Sequence, residues 1–463
     1  MATRIERRHG LRSPAGNGAR SWWRDLLGPA LASGMLVVVA MWAAGGGLHG
    51  LGDLAAGATS IGRLTGLLSA DLLLVQVLLM ARVPVIERAY GQDRLTRWHR
   101  LIGFASFNLM LAHIVLITVG YTWTLHVSLA HQAWELLTGY PGMLLATAGA
   151  VALVLVTVTS IRAARRRLRY ESWHLLHLYA YLGVGLALPH QLWTGADFTT
   201  SPAARLYWWS AYGICAGAVV VFRLGLPAWR TLRHRLEVDK VVAEAPGVYS
   251  IHLRGRGLRR LPARAGQFFQ WRFLTGRGWS RAHPYSLSAA PGPDRLRITV
   301  KALGDGSRAL AELRPGTKVL IEGPYGRLTA ERRTARCLTM IASGVGITPL
   351  RALLEELPYA AGEATLLYRA RADPDVLFRD ELDRLADARG VRVLYLVGPR
   401  GDDGSWLPAG WGGETTALGD IVPGIRHHDV FVCGPDAWMR AVVRAARHAH
   451  VPDDRIHLEP FAW

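Results

Sequence analysis

The amino-acid sequence predicts a membrane all-α six-helix bundle, followed by an antiparallel β-barrel and then an α/β domain. Three observations carry that reading. Long apolar stretches fill the first half of the chain, and basic residues crowd alternate connections between them. From about residue 236 the pattern changes to short apolar runs broken by Gly, Pro and Arg.

Stretches long enough to cross a bilayer, about 20 residues each, lie near 27–48, 62–81, 101–123, 139–161, 174–194 and 205–227. The tail before the first carries Arg4, Arg7, Arg8, Arg12, Arg20 and Arg24, and the loop after the second carries Arg82, Arg88, Arg94, Arg97 and Arg100. Arg162, Arg165, Arg166, Arg167 and Arg169 follow the fourth stretch; Arg230, Arg233 and Arg235 follow the sixth. Loops 49–60, 124–138 and 195–204 hold no Lys or Arg. Positive charge resists translocation, so the Arg-rich connections and both termini are expected in the cytoplasm of a multi-pass cell-membrane protein.

At 463 residues the chain has room for two or three domains. The expected division is a basic tail (1–24), a helical membrane domain (25–228), a barrel domain (236–330) and an α/β domain (335–463). The net charge of +19 is interrupted by apolar segments and accompanies no nucleic-acid motif, so lipid headgroups and cofactor phosphates are its expected partners, not nucleic acid. Cys215, Cys337 and Cys433 are too few for a disulfide framework or a four-thiolate iron–sulfur cluster. The first apolar run has no small-residue cleavage site after it and is read as a retained helix.

Ionisable side chains within a span point to function. His99 and His113 lie on the third span, and His174, His177 and His190 on the fifth. Fourteen residues put His99 and His113 about 21 Å apart, and thirteen put His177 and His190 about 20 Å apart. Two matched levels of imidazole suit two stacked b-type haems. On a straight helix, fourteen residues return to within about 40° of the same face, whereas thirteen end about 140° away. Pro189 allows a kink that changes this aim, and pairing through His174 fits no better. Such histidines also cap helices or bond across a bundle, the reading given to Asp71 and Gln76 on span two.

In the second half, runs Leu236–Val242, Val248–Leu253, Gln267–Phe273, Leu296–Ala302 and Lys318–Glu322 have the spacing of a small antiparallel barrel. Strand Cys337–Ala342 then runs into Ser343-Gly344-Val345-Gly346-Ile347-Thr348-Pro349-Leu350, a helix follows, and further strands are expected at Thr365–Tyr368, Val391–Val397 and Asp429–Cys433. This is the pattern of an α/β nucleotide-binding domain, in which Gly344 and Gly346 let backbone approach a pyrophosphate and Thr348-Pro349 open the helix. Arg369 and Arg371, at the end of the next strand, are candidates for a 2′-phosphate, favouring NADPH over NADH, with solvated surface residues as the alternative.

Taken together these residues resemble the ferric reductase and NADPH oxidase family, whose soluble half is of the ferredoxin–NADP⁺ reductase type; the resemblance runs from the first span to the last residue. It implies that His99 and His177 ligate an inner haem b, and His113 and His190 an outer one. His283-Pro284-Tyr285-Ser286-Leu287-Ser288 resembles the family's flavin motif, with Tyr285 against the isoalloxazine of FAD and Ser286 near its reactive nitrogen. Soluble relatives usually carry Arg where His283 stands, and Arg281 is nearby. Lys301, Gly304, Gly306 and Ser307 resemble the second flavin segment, with amides and a hydroxyl on the diphosphate. Cys433-Gly434-Pro435 resembles the nicotinamide-side turn and Glu459-Pro460-Phe461-Ala462-Trp463 the C-terminal tail, where Phe461 or Trp463 would cover the flavin. Ser286, Cys433 and Glu459 would then surround hydride transfer. The implied activity passes electrons from cytoplasmic NAD(P)H through FAD and two haems to oxygen or a ferric chelate outside. A relay to a quinone or partner protein, a haem or flavin sensor, and a channel are the alternatives. Oligomeric state is not legible.

Overall fold

The computed structural model describes residues 18–167, 170–199, 201–275, 281–401, 404–411 and 418–460. The tail before Gly18, Arg169, Phe461 and Trp463 lie outside the described residues. The chain divides into two compact units, Met1–Arg223 and Leu224–Trp463.

The first unit is helical: α1 (Gly18–Trp42), α2 (Leu54–Met80), α3 (Pro84–Tyr90), α4 (Gln92–Leu125), α5 (Leu129–Thr138), α6 (Met143–Ser160), α7 (Arg162–Arg165), α8 (Tyr170–Trp193), α9 (Ala196–Thr199) and α10 (Pro202–Ala218). A π-helical stretch, Val219–Gly225, continues α10 into α11 (Leu226–His234). Side-chain oxygens of Asp53, Ser128 and Ser201 cap α2, α5 and α10 by accepting from the amides of Ala56, His131 and Ala204.

Among the described residues, five helical segments are long and apolar enough to cross a membrane: Gly28–Gly47, Leu54–Met80, Arg94–Leu125, Met143–Ser160 and Pro202–His234. The fifth expected span, α8, has 24 residues, but His174, His177, His190 and Gln191 dilute its apolar character. The fourth begins at Met143 instead of 139 because Gly142, at φ +81°, precedes the helix in the left-handed region. Helix α2 packs along α4, and α6 along α8. Gly149 and Gly183 let the latter pair meet backbone to backbone: a Cβ on Gly149 would lie 2.7 Å from the Gly183 carbonyl oxygen. Val38, Leu67, Leu74, Phe198 and Trp208 form the buried centre among α1, α2, α9 and α10.

The second unit starts with β1 (Glu237–Ala245), β2 (Val248–Arg254), β3 (Phe268–Phe273), β4 (His283–Ser286), β5 (Arg295–Lys301), α12 (Asp305–Arg308) and β6 (Val319–Tyr325). These strands make two three-stranded antiparallel sheets, β1-β2-β5 and β4-β3-β6. The bridges Glu237–Lys318 and Leu287–Ile298 tie one sheet to the other. Alternation along β3 turns Phe269, Trp271 and Phe273 inward, against Ile251, Leu287, Ile298 and Ile321.

Then come β7 (Leu338–Ser343), α13 (Ile347–Glu356), β8 (Ala364–Ala370), α14 (Arg379–Arg389), β9 (Arg392–Val397), α15 (Leu418–Ile421), β10 (Asp429–Gly434), α16 (Asp436–His448) and β11 (Ile456–Pro460). The strands form one parallel sheet in the order β11-β10-β7-β8-β9. Met340 and Leu366 face Leu350 and Leu354 of α13; Ile341 and Leu367 face Met439 and Val442 of α16. The strand order reverses between β7 and β10, and in such sheets ligands bind at the carboxyl ends of the strands flanking that reversal.

Candidate functional site

In the helical unit the four histidines of interest meet in two pairs. His99 on α4 faces His177 on α8 with ring centroids 5.9 Å apart. His113 on α4 faces His190 on α8 at 6.4 Å. Each ring commits its Nδ1. His99 Nδ1–H donates to the Gln76 carbonyl (3.2 Å) and His113 Nδ1–H to the Gly62 carbonyl (2.8 Å). His177 shares a hydrogen bond with Ser160 Oγ (3.2 Å), and His190 with Thr194 Oγ1 (2.7 Å). Among the described residues none bonds to the four Nε2 atoms. Two imidazoles that were to share one iron would need their centroids roughly 6.4 Å apart. Both pairs fit that requirement, and the oriented Nδ1 atoms are what a metal-binding imidazole needs.

The packing of α2 against α4 explains the α4 rings. The carbonyls of Gly62 and Gln76 are fourteen residues apart on α2, as His113 and His99 are on the antiparallel α4. Gly66, one turn beyond Gly62, clears the approach: a Cβ there would come within 2.5 Å of His113 Nδ1. The sequence reading missed this contact, for which the Gly62-xxx-Gly66 spacing is the available signal. On α8 the thirteen-residue offset still delivers both rings to α4, with Pro189 removing an intrahelical donor one residue before His190.

Two further polar contacts cross the unit. Tyr207 donates to Asp71 Oδ1 at 2.6 Å, the bundle role expected for Asp71. Arg63, not singled out from the sequence, holds Asp197 through Nε (2.8 Å) and a second guanidinium nitrogen.

In the second unit the candidate residues gather where the two sheets meet the switch point. Phe268 pairs in register with Ser286 on one side and Tyr325 on the other. A Cβ on Gly326 would touch both Phe268 and the Glu459 carboxylate. Glu459 lies beside Cys433 in the β10–β11 register, and Cys433 beside Ala342. Gly346 completes the chain of contacts, since a Cβ there would sit 2.2 Å from the Cys433 carbonyl oxygen. Ser286, Glu459, Cys433 and the Gly-rich turn therefore share one region. The Cys433 thiol is fully buried and donates to the Glu459 carbonyl at 3.3 Å. Burial, then the Glu459 charge, pushes its pKa well up, so it keeps its proton at neutral pH. Burial also pushes the Tyr285 hydroxyl up to about 12. His283 stacks parallel to Tyr285 at 5.9 Å and packs over Gly306.

Several expected contacts take another form. Leu287 is buried in the sheet core and Ser288 is equally buried, its hydroxyl accepting from Thr299 (2.8 Å) and Arg297. Both follow the end of β4 at Ser286 and are enclosed between the two sheets, where Leu287 bridges Ile298 of β5. Ser307 Oγ accepts from the amides of Leu303 and Gly304, closing the turn with groups expected on a diphosphate. Thr348 is buried and donates to the Val345 carbonyl (3.0 Å). Arg369 is buried, with its guanidinium on the carbonyls of Ala370 and Pro399; Arg371 is exposed. Gly346 answers to the Cys433 backbone, whereas Gly344, at φ +55°, has open space beside it. Lys301 and Pro435 are exposed, Gly304 half-buried, and Gly434 packs between Ser343 and Trp438.

A feature the sequence did not reveal ties sheets to nucleotide domain. Arg297 on β5 holds Glu381 on α14 through two bonds (2.7 and 2.9 Å). Arg351 on α13 lies 2.8 Å from the same carboxylate, an ion contact without hydrogen-bond alignment. Glu355 and Glu356 of α13 accept from the amides of Ala290 and Ala265.

The family model of the ferric reductase-like transmembrane component matches residues 65–188, and that of the oxidoreductase NAD-binding domain matches 340–444. The ferredoxin reductase component of a 3-ketosteroid-9-alpha-monooxygenase from Mycolicibacterium smegmatis is 33% identical over 208 residues, covering 44% of this chain and 56% of that protein. The chain thus spans about half the length of such relatives. Ferredoxin–NADP reductase B of Sorangium cellulosum is 32% identical over 194 residues, 38% of this chain and 77% of that protein. The FAD/NAD-binding domain of a nitric oxide dioxygenase from Vibrio cholerae is 25% identical at a TM-score of 0.42, over 49% of this chain and 98% of that one. With a ferric reductase-like component before a reductase of the ferredoxin–NADP⁺ type, the chain belongs to the ferric reductase and NADPH oxidase family.

Proposed function

We propose that this protein is a transmembrane oxidoreductase that takes electrons from NAD(P)H in the cytoplasm and delivers them to an acceptor outside, either oxygen, giving superoxide, or a ferric chelate. The observation that carries the reading is the pair of histidine pairs, 5.9 and 6.4 Å between centroids, with every Nδ1 engaged. When bound, FAD divides the hydride's two electrons and two b-type haems relay them singly. His99 and His177 would hold the inner haem; His113 and His190 the outer.

Residues 25–228 would form the haem domain, 236–330 the FAD domain and 335–463 the NAD(P) domain. The alternation of Arg-rich and Arg-free loops supports cytoplasmic termini. In the soluble unit His283, Pro284, Tyr285 and Ser286 bind and orient the flavin. Open space at Gly344 receives the dinucleotide at the switch point. Cys433, its proton retained on Sγ, and Glu459 position the nicotinamide against Ser286. The exposed Arg371 favours NADPH over NADH, in keeping with a relative named a ferredoxin–NADP reductase.

The test is an anaerobic optical spectrum of the purified protein before and after adding NADPH. Bands of b-type haem that sharpen and shift on reduction are expected. Absence of haem, or haem that NADPH never reduces, overturns the reading and leaves a flavin reductase with another client.

A further inference from the structure

The four rings are not held alike. On α4 both imidazoles donate to backbone carbonyls of α2, acceptors fixed by the helix itself. On α8, His177 reaches across to Ser160 on α6. No corresponding turn of α6 serves His190: α6 starts at Met143, and a Cβ on Gly142 just before it would lie 2.8 Å from the His190 amide nitrogen. His190 is also the ring that the thirteen-residue spacing and Pro189 leave least constrained.

Thr194 stands in that gap. Its Oγ1 lies 2.7 Å from His190 Nδ1 and donates at 2.7 Å to the His190 carbonyl, while its amide donates to the same carbonyl at 3.0 Å. With the hydroxyl proton on the carbonyl, the oxygen is left to accept from Nδ1–H. A closed loop therefore fixes ring and tautomer together, with Nε2 carrying the lone pair. The loop rests on firm ground, because Gln191 accepts from Tyr212 on α10 and Asp197 is gripped by Arg63 on α2. The transmembrane family model ends at residue 188, before His190 and Thr194.

We infer that Thr194 is the positioning residue of the outer histidine pair, holding His190 Nε2 toward His113 and setting the electron density of that imidazole. The inference rests on the proposal that this pair ligates a haem. An Nδ1–H that loses its acceptor makes the ring a weaker donor to iron, which disfavours the ferric state.

The experiment compares full-length wild type, Thr194→Val and Thr194→Ser by haem content and potentiometric titration. Valine keeps the shape without the hydroxyl; serine restores the hydroxyl. In Thr194→Val one of two haem components should rise in potential by about 59 mV, a tenfold change in ferric-over-ferrous preference, or be lost, while the other component stays as in wild type. Thr194→Ser should match wild type. Wild-type components in Thr194→Val, or equal shifts in both variants, overturn the inference while leaving the haem reading intact. Wild type without haem removes the underlying reading itself.

Discussion

Replacing Glu381 with Gln strips the charge from a carboxylate shared by two buried guanidiniums. Arg297 and Arg351 have side chains only 9% and 10% exposed, and Glu381 is 24% exposed. Removing one partner of a buried ion pair costs about 3–5 kcal/mol. Gln retains one acceptor and the carboxylate is partly wet, so about 2–3 kcal/mol is the reasonable expectation here. For a unit the size of Leu224–Trp463, at about 2–4 °C per kcal/mol, the melting midpoint should fall by about 4–12 °C. The assay is flavin fluorescence of the full-length protein during heating, which reports release from this unit. Burial pushes the Glu381 carboxyl up, but the Arg297 bonds and the Arg351 charge outweigh it and hold the pKa below the ordinary carboxylate range. A depressed pKa contributes stability above the unfolded value, about 4.3, and that contribution is lost as pH falls through the folded value. The gap between wild type and Glu381→Gln should therefore be constant from pH 7 to 6 and close below about pH 4. Equal melting at neutral pH would refute the reasoning.

Two further predictions concern the nucleotide site. Gly346→Ala drives a Cβ to 2.2 Å from one backbone oxygen and 2.6 Å from its carbon, a backbone clash worth about 1–3 kcal/mol. The KM for NADPH should rise about tenfold or more with flavin content unchanged; a normal KM sinks the claim that this contact aligns Cys433. Arg371→Ala should raise the KM for NADPH about tenfold with little change for NADH, whereas Arg369→Ala should lower thermal stability without altering that ratio. An unchanged NADPH preference in Arg371→Ala removes it as the phosphate reader.

The sequence carried the heights of the histidines because helical rise is fixed, and the layout of the sheets because turn residues punctuate them. Azimuth was less legible. On α8 it depends on Pro189 and on side-chain reach, neither of which a wheel of 100° steps contains. The sides of β8 were not legible either: every residue is buried, because helices cover both faces of a central parallel strand. Arg369 lies inside β8 and is buried, whereas Arg371 lies just past its end and is exposed, a boundary that no turn residue marks in the sequence. Strands β4 and β11 are too short, and each includes a proline, to register as apolar runs. Arg63–Asp197 and Arg297–Glu381 join residues far apart in sequence, and nothing local announces them.

The two histidine levels differ in how many helices build them, and this shapes where change is tolerated. The inner level links α2, α4, α8 and α6 through Gln76, His99, His177 and Ser160. Among the described residues, the ring contact and ring hydrogen bonds of the outer level link α2, α4 and the end of α8, through Gly62, His113, His190 and Thr194. On the α2 side of both levels the acceptor is main chain, so a substitution acts on it indirectly, by blocking access as a side chain at Gly66 would. On the α8 side the acceptors are hydroxyls that one substitution removes. In the proposed relay, electron density at the two levels would be adjustable independently, from α6 for the His99–His177 pair and from the end of α8 for the His113–His190 pair. A relay in which successive one-electron carriers must stand in a set order of potential needs that kind of separate control.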